Sequence, residues 1–173
     1  MVISLIGLSG SGKSIVGREL VDRLRERYPN TVLLDGDELR ATIAPDLGHT
    51  YEDRRESEAR RSKLCKLLHN QGIHVVCAGL SNYPEWRNWC RENISHYFEV
   101  YLHVPLELLE KRDRKQIYDK ARQGLLDNVV GINIPFVPPE HPDITIDNIG
   151  EISVDHLAKR ILDALPTDYL SFS

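Results

Sequence analysis

The residues Gly7-Leu8-Ser9-Gly10-Ser11-Gly12-Lys13-Ser14 fit G-x-x-x-x-G-K-[ST], a spacing that wraps backbone N–H groups around phosphate oxygens. An apolar run, Val2–Ile6, leads into it and a segment of helical period leaves it, which is the setting the motif requires. The helix N-terminus adds partial positive charge. In such a loop Lys13 reaches the β- and γ-phosphates of ATP and Ser14 holds Mg²⁺. This is a nucleotide-binding P-loop.

Two further clusters carry chemistry. After the second apolar run come Asp35-Gly36-Asp37-Glu38-Leu39-Arg40, where Asp37 is suited to take a hydroxyl proton, Asp35 to hold Mg²⁺ through water, and Arg40 to pair with an anion. The same aspartates also suit a helix cap, and the two roles are compatible. After the third run, Leu80-Ser81-Asn82-Tyr83 precedes Pro84, a proline at a first helical turn, so Ser81 is either cap chemistry or part of the same crevice.

Five short apolar runs must position these groups: Val2–Ile6, Thr31–Leu34, Ile73–Ala78, Phe98–Val104 and Ile144–Ile146. Helical segments lie between them, so the expected fold is α/β, a five-stranded parallel sheet with helices on both faces. Helices are expected over about 12–27, 51–70 and 152–165, the last with Ile152, His156, Leu157, Ile161 and Leu165 on its packing face. On the second, Arg54, Ser57, Glu58 and Arg61 share one face that continues into Leu64, Cys65 and Leu68. The charged stretch 112–122 and the Gly- and Pro-containing stretch 124–142 read together as a lid over the site.

The chain has 173 residues, 41% hydrophobic and 28% charged, with a net charge of −4, which suits one domain and offers no footprint for nucleic acid. Three cysteines without C-x-x-C spacing argue against a disulfide framework and for a reducing, cytoplasmic setting. The apolar opening lacks a basic flank and is too short for a leader or a membrane span. The histidines and cysteines show no zinc-ligand spacing. Trp86 and Trp89, three apart on one short helix, read as packing or a subunit contact.

The ordered set Gly7–Ser14, Leu34–Arg40, Glu52-Asp53-Arg54, Arg60-Arg61, Glu99-Val100-Tyr101, Pro105-Leu106-Glu107, Arg112-Asp113, Tyr118-x-Lys120-Ala121-Arg122-x-Gly124, Gly131-Ile132 and the Pro-rich 135–142 resembles adenylylsulfate (APS) kinases. The likeness covers about four fifths of the chain. It implies a P-loop kinase, usually a homodimer, that moves the γ-phosphoryl of ATP to the ribose 3′-hydroxyl of a small nucleotide acceptor. On that resemblance Asp37 stands beside the 3′-hydroxyl, and Arg40 and Arg54 hold the acceptor's anion. Arg112, Lys115 and Arg122 match basic lid positions near the phosphates. Ser81, next to Leu80, matches a serine described as a candidate phosphate acceptor, although in-line transfer needs no such detour.

The departures from the family pattern fall on the acceptor side. His49 and Val129 stand where two phenylalanines resemble a sandwich around adenine, a loss on the order of 1 kcal/mol or more of stacking each. Ser57 stands for Asn, Asn82 for Pro and Gln116 for Gly. APS is the first expectation, and a smaller base, as in the cytidine diphosphate phosphoramidate taken by some relatives, is the second. A GTPase-like switch or a binding module is the remaining class, opposed by the missing Asn/Thr-Lys-x-Asp sequence.

Overall fold

The strands form where the apolar runs fall: β1 (Val2–Ile6), β2 (Thr31–Asp35), β3 (His74–Gly79), β4 (Tyr97–His103) and β5 (Ile144–Asp147). The computed structural model describes residues 1–113 and 116–170. All pairings are parallel, in the order β2-β3-β1-β4-β5. Register aligns Ile6 with Gly79 and with Tyr101, and Asp35 with Ala78. The turns leaving β1, β2 and β3 therefore open side by side at the carboxyl edge, where parallel sheets bind ligands.

Both faces are covered. Helix α1 (Lys13–Arg25) and helix α7 (Val154–Asp163) pack on one, where Leu20, Leu24, Leu157 and Ile161 close over Ile3, Leu5, Val100 and Ile146. Each such side chain is worth about 1.5–3 kcal/mol on full burial. Helix α2 (Gly36–Ile43) follows β2. Helices α3 (Tyr51–Asn70) and α4 (Pro84–Asn93) cover the opposite face through Cys65, Cys90 and Ile94 over Val75 and Cys77, and all three cysteines are buried free thiols. Trp86 and Trp89 stack edge to face at 5.8 Å beside them.

A third cluster, Val104, Leu109, Tyr118, Ala121 and Val129, lies beyond the end of β4 and seats helix α5 (Leu106–Arg112) and helix α6 (Ile117–Arg122). The Asp113 carboxylate accepts from the N–H groups of Ile117, Tyr118 and Asp119 and so starts α6. The expected lid, 112–142, thus starts where α5 ends and holds one short helix, α6, and irregular chain runs from there to β5, with one isolated bridge among the described residues, Val130 to Ile134. Among the described residues no helix is long and apolar enough to cross a membrane.

Two helix starts differ from expectation. Helix α1 begins at Lys13 because Gly12 takes φ +95°, outside the helical region. Helix α7 begins at Val154, with Ser153 Oγ accepting from the His156 N–H. His156 therefore lies in the first turn and is exposed, and Leu157, Ala158 and Ile161 carry the packing face.

Candidate functional site

At the end of β1 the chain turns sharply, and a Cβ on Gly7 would meet the Leu102 carbonyl at 2.6 Å, so only glycine fits there. Helices α2, α3 and α7 are capped by Asp35, Thr50 and Ser153, whereas α1 has no side-chain cap and no acidic residue in its first turn. Its first N–H groups and partial positive charge face outward from a glycine turn, as an anion site requires. Lys13 Nζ donates to the Leu8 carbonyl at 2.7 Å and to Ser11 Oγ at 3.3 Å, which folds the ammonium over the loop Leu8, Ser9, Gly10, Ser11.

Two side chains outside the motif fasten this loop. Tyr118 Oη donates to the Ser9 carbonyl at 2.8 Å, and Asn148 Nδ2 to the Ser11 carbonyl at 2.9 Å. Arg112 in turn donates to the Asn148 carbonyl at 3.0 Å, so the arginine stands beside the P-loop, tied to the end of β5. The position of Asn148 just past a strand's carboxyl end is a signal that sequence reading can use. Lys115 lies outside the described residues. Arg122 points elsewhere, paired with Glu110 on the surface at 2.8 Å.

At the end of β2, Asp35 is buried and its Oδ1 accepts from the Asp37 N–H at 2.9 Å, so it is the cap of α2. Asp37, in the first turn, is exposed. Ser14 and Asp35 supply a hydroxyl and a carboxylate, the hard oxygen donors that suit Mg²⁺. Among the described residues no three His, Cys, Asp or Glu gather as a metal cluster, so that ion would be held mainly by phosphates and water, with these two groups at its edge.

The expected anion groups come together next to Asp37. Arg40 donates to the Gly48 carbonyl at 2.7 Å. Arg54 donates from Nε to the His49 carbonyl at 3.0 Å and from its outer nitrogen to the Asn128 carbonyl at 2.9 Å. One guanidinium thus joins the turn carrying His49 to the segment carrying Val129. Burial, followed by Arg40, lowers the Arg54 pKa from its usual value. Partial burial, Arg54 and Arg40 also hold His49 below the ordinary imidazole range, against Asp37 and Asp53. Two cations bonded only to carbonyls among the described residues, with no carboxylate ion pair, have the charge that suits an anion. Ser57 is half-buried one turn along α3 from Arg54. Val129 is 5% exposed, within the cluster of Leu109 and Tyr118.

The turn after β3 rests on a buried polar network. Leu80 is half-buried, and Ser81 is buried with φ +50°, a left-handed conformation unusual for serine. Arg61 donates to Ser81 Oγ at 2.9 Å and lies 3.7 Å from Glu58, whose carboxylate accepts from the Asn82 N–H. Burial pushes the Glu58 carboxyl up to about 7, against the pull of Arg61 and Arg87. A carboxyl raised in the fold contributes stability that is complete below its unfolded value, near 4.5, and is lost as pH rises through about 7. Urea titrations at pH 5 and pH 8 should therefore show the wild type losing up to about 3 kcal/mol relative to Glu58→Gln at the higher pH. A difference that stays flat with pH would show that Glu58 is ionised throughout.

Residues 1–147 match the family model for adenylylsulphate kinase. An adenylyl-sulfate kinase of Halothermothrix orenii is 39% identical over 172 residues, covering 95% of this chain and 93% of that protein. A cytidine diphosphoramidate kinase of Campylobacter jejuni is 35% identical over 167 residues, covering 95% of each. The solved structure of the Mycobacterium tuberculosis APS kinase in complex with AMPPNP and APS superposes with a TM-score of 0.86 at 34% identity, over 94% of this chain and 95% of that one.

Proposed function

Since the chain belongs to the adenylylsulphate kinase family, we propose that it transfers the γ-phosphoryl of ATP to the ribose 3′-hydroxyl of a nucleotide, with adenylyl sulfate as the first acceptor. The observation that carries this reading is the Arg54 bridge. It ties the His49 turn to the lid at Asn128 through a guanidinium beside Asp37 that is bonded to carbonyls, at the edge where the P-loop opens. A phosphate donor on one side and an anion-tipped acceptor on the other meet across the ends of β1 and β2.

In the reaction the acceptor oxygen forms a bond to the γ-phosphorus as the bond to the ADP oxygen breaks, and the hydroxyl proton passes to the Asp37 carboxylate. Lys13 and the N–H groups of the P-loop hold the donor phosphates, with Arg112 alongside. Arg40 and Arg54 fix the acceptor's acid group, which sets the line of attack. Ser14, and Asp35 through water, would hold Mg²⁺, which would supply charge neutralisation on the phosphates. Ser81 serves as a fixed part of the crevice, its hydroxyl held by Arg61, and not as a relay. The form that goes with this reading is a homodimeric cytoplasmic enzyme.

A second acceptor is favoured by the walls of the site. His49 and Val129 offer no phenyl sandwich, and the Campylobacter jejuni relative is a kinase of a cytidine compound. Thermal shift with an unreactive ATP analogue decides between them: APS should raise Tm more than cytidine diphosphate phosphoramidate does, and the reverse order would select the second acceptor. His49→Phe should raise kcat/KM for APS roughly fivefold, the equivalent of about 1 kcal/mol of stacking, and leave a cytidine acceptor unimproved. Equal gains for both acceptors would show that residue 49 does not touch the base.

A further inference from the structure

The far end of the irregular segment is fastened by side chains that neither phosphate nor anion binding uses. The Asn82 amide donates to the Pro135 carbonyl at 3.0 Å and accepts from the Val137 N–H at 2.8 Å, so one side chain stands in for a neighbouring strand. Asn82 is 3% exposed, and its own N–H is fixed by Glu58. Arg87, 5% exposed, donates from one terminal nitrogen to the Ser81 and Val137 carbonyls at 2.5 and 3.0 Å, and from the other to the Pro138 carbonyl at 3.2 Å. Buried polar atoms with every partner supplied make a rigid joint. Residues 123–127, by contrast, are all exposed, and Arg54 meets the neighbouring Asn128 through a single bond.

We propose that Asn82, backed by Arg87, is a positioning residue for the acceptor: it pins 135–138 to the end of β3, so that the wall carried on 124–134 closes from a fixed far end. This rests on the acceptor site described under Proposed function. Asn82 is buried and its amide is engaged by Pro135 and Val137, so its influence runs through the placement of that wall.

The test combines amide exchange by NMR with kinetics of the full chain. In the wild type the Val137 amide should exchange slowly with or without nucleotides, whereas amides of 125–134 should slow in part when an ATP analogue binds and fully once the acceptor is added as well. Asn82→Ala should speed Val137 exchange at least about tenfold, raise KM for the acceptor about tenfold, and leave KM for ATP within about twofold. A merely structural role would move both KM values together. If Asn82→Ala does not fold, Arg87→Lys keeps the charge and loses the fork that spans two carbonyls, and it takes the same measurements. The proposal is overturned if wild-type Val137 exchanges as fast as residues 125–127, or if acceptor KM stays within twofold while Val137 exchange rises. Should the wild type turn over neither APS nor cytidine diphosphate phosphoramidate, the acceptor reading fails, and Val137 protection still decides whether the joint exists.

Discussion

Replacing Lys13 with alanine should lower phosphoryl transfer about a thousandfold while the chain stays folded. The ammonium is half-buried over the P-loop and bonded to the Leu8 carbonyl and Ser11 Oγ, and in the proposed mechanism it faces the charge that builds on the phosphates. Its removal takes away a cation whose effect is greatest in the transition state, so kcat should fall at least as steeply as ATP affinity. The core beneath the loop, Ile3, Leu5 and Leu20, is untouched. A coupled assay of ADP release beside a circular dichroism melt makes the check, and undiminished turnover would remove the P-loop from the mechanism.

The second large effect is expected at Asp37. Asp37→Asn keeps the shape of the side chain and leaves the cap of α2, which belongs to Asp35, in place. What disappears is the basic oxygen for the acceptor proton, a change worth about a hundred- to a thousandfold in kcat. ATP affinity should stay within about twofold. If affinity falls as far as kcat, Asp37 belongs to the metal's surroundings and the proton goes elsewhere.

The sheet was readable because each apolar run ends in a residue that breaks it, such as Gly7 after β1 or Asp35 at the end of β2. Helix α3 was readable to both ends because Thr50 caps it and Gln71-Gly72 stops it. Of the groups brought together around Arg54, Asp37 and Arg40 were visible as charged residues following a strand, with their chemistry, whereas the role of Arg54, on α3, came from family likeness. The joints escaped notice for a physical reason. Tyr118, Asn148, Asn82 and Arg87 all act on backbone carbonyls or N–H groups, which every residue carries, so no partner type marks them in the sequence. The pairing of Arg122 with Glu110 is similarly opaque, because it depends on α5 and α6 meeting on one cluster.

The hydroxyl of Tyr118 on the Ser9 carbonyl and the Asn128 carbonyl on Arg54 belong to one continuous stretch of chain. The two nucleotides should therefore not bind as independent events. Whichever arrives first settles part of that stretch and bears the entropy of doing so, and the other then binds to a chain already ordered. By thermodynamic linkage, the factor by which ATP tightens the acceptor must equal the factor by which the acceptor tightens ATP. Cutting the tyrosine hydroxyl away, as in Tyr118→Phe, would shrink that common factor in both directions at once.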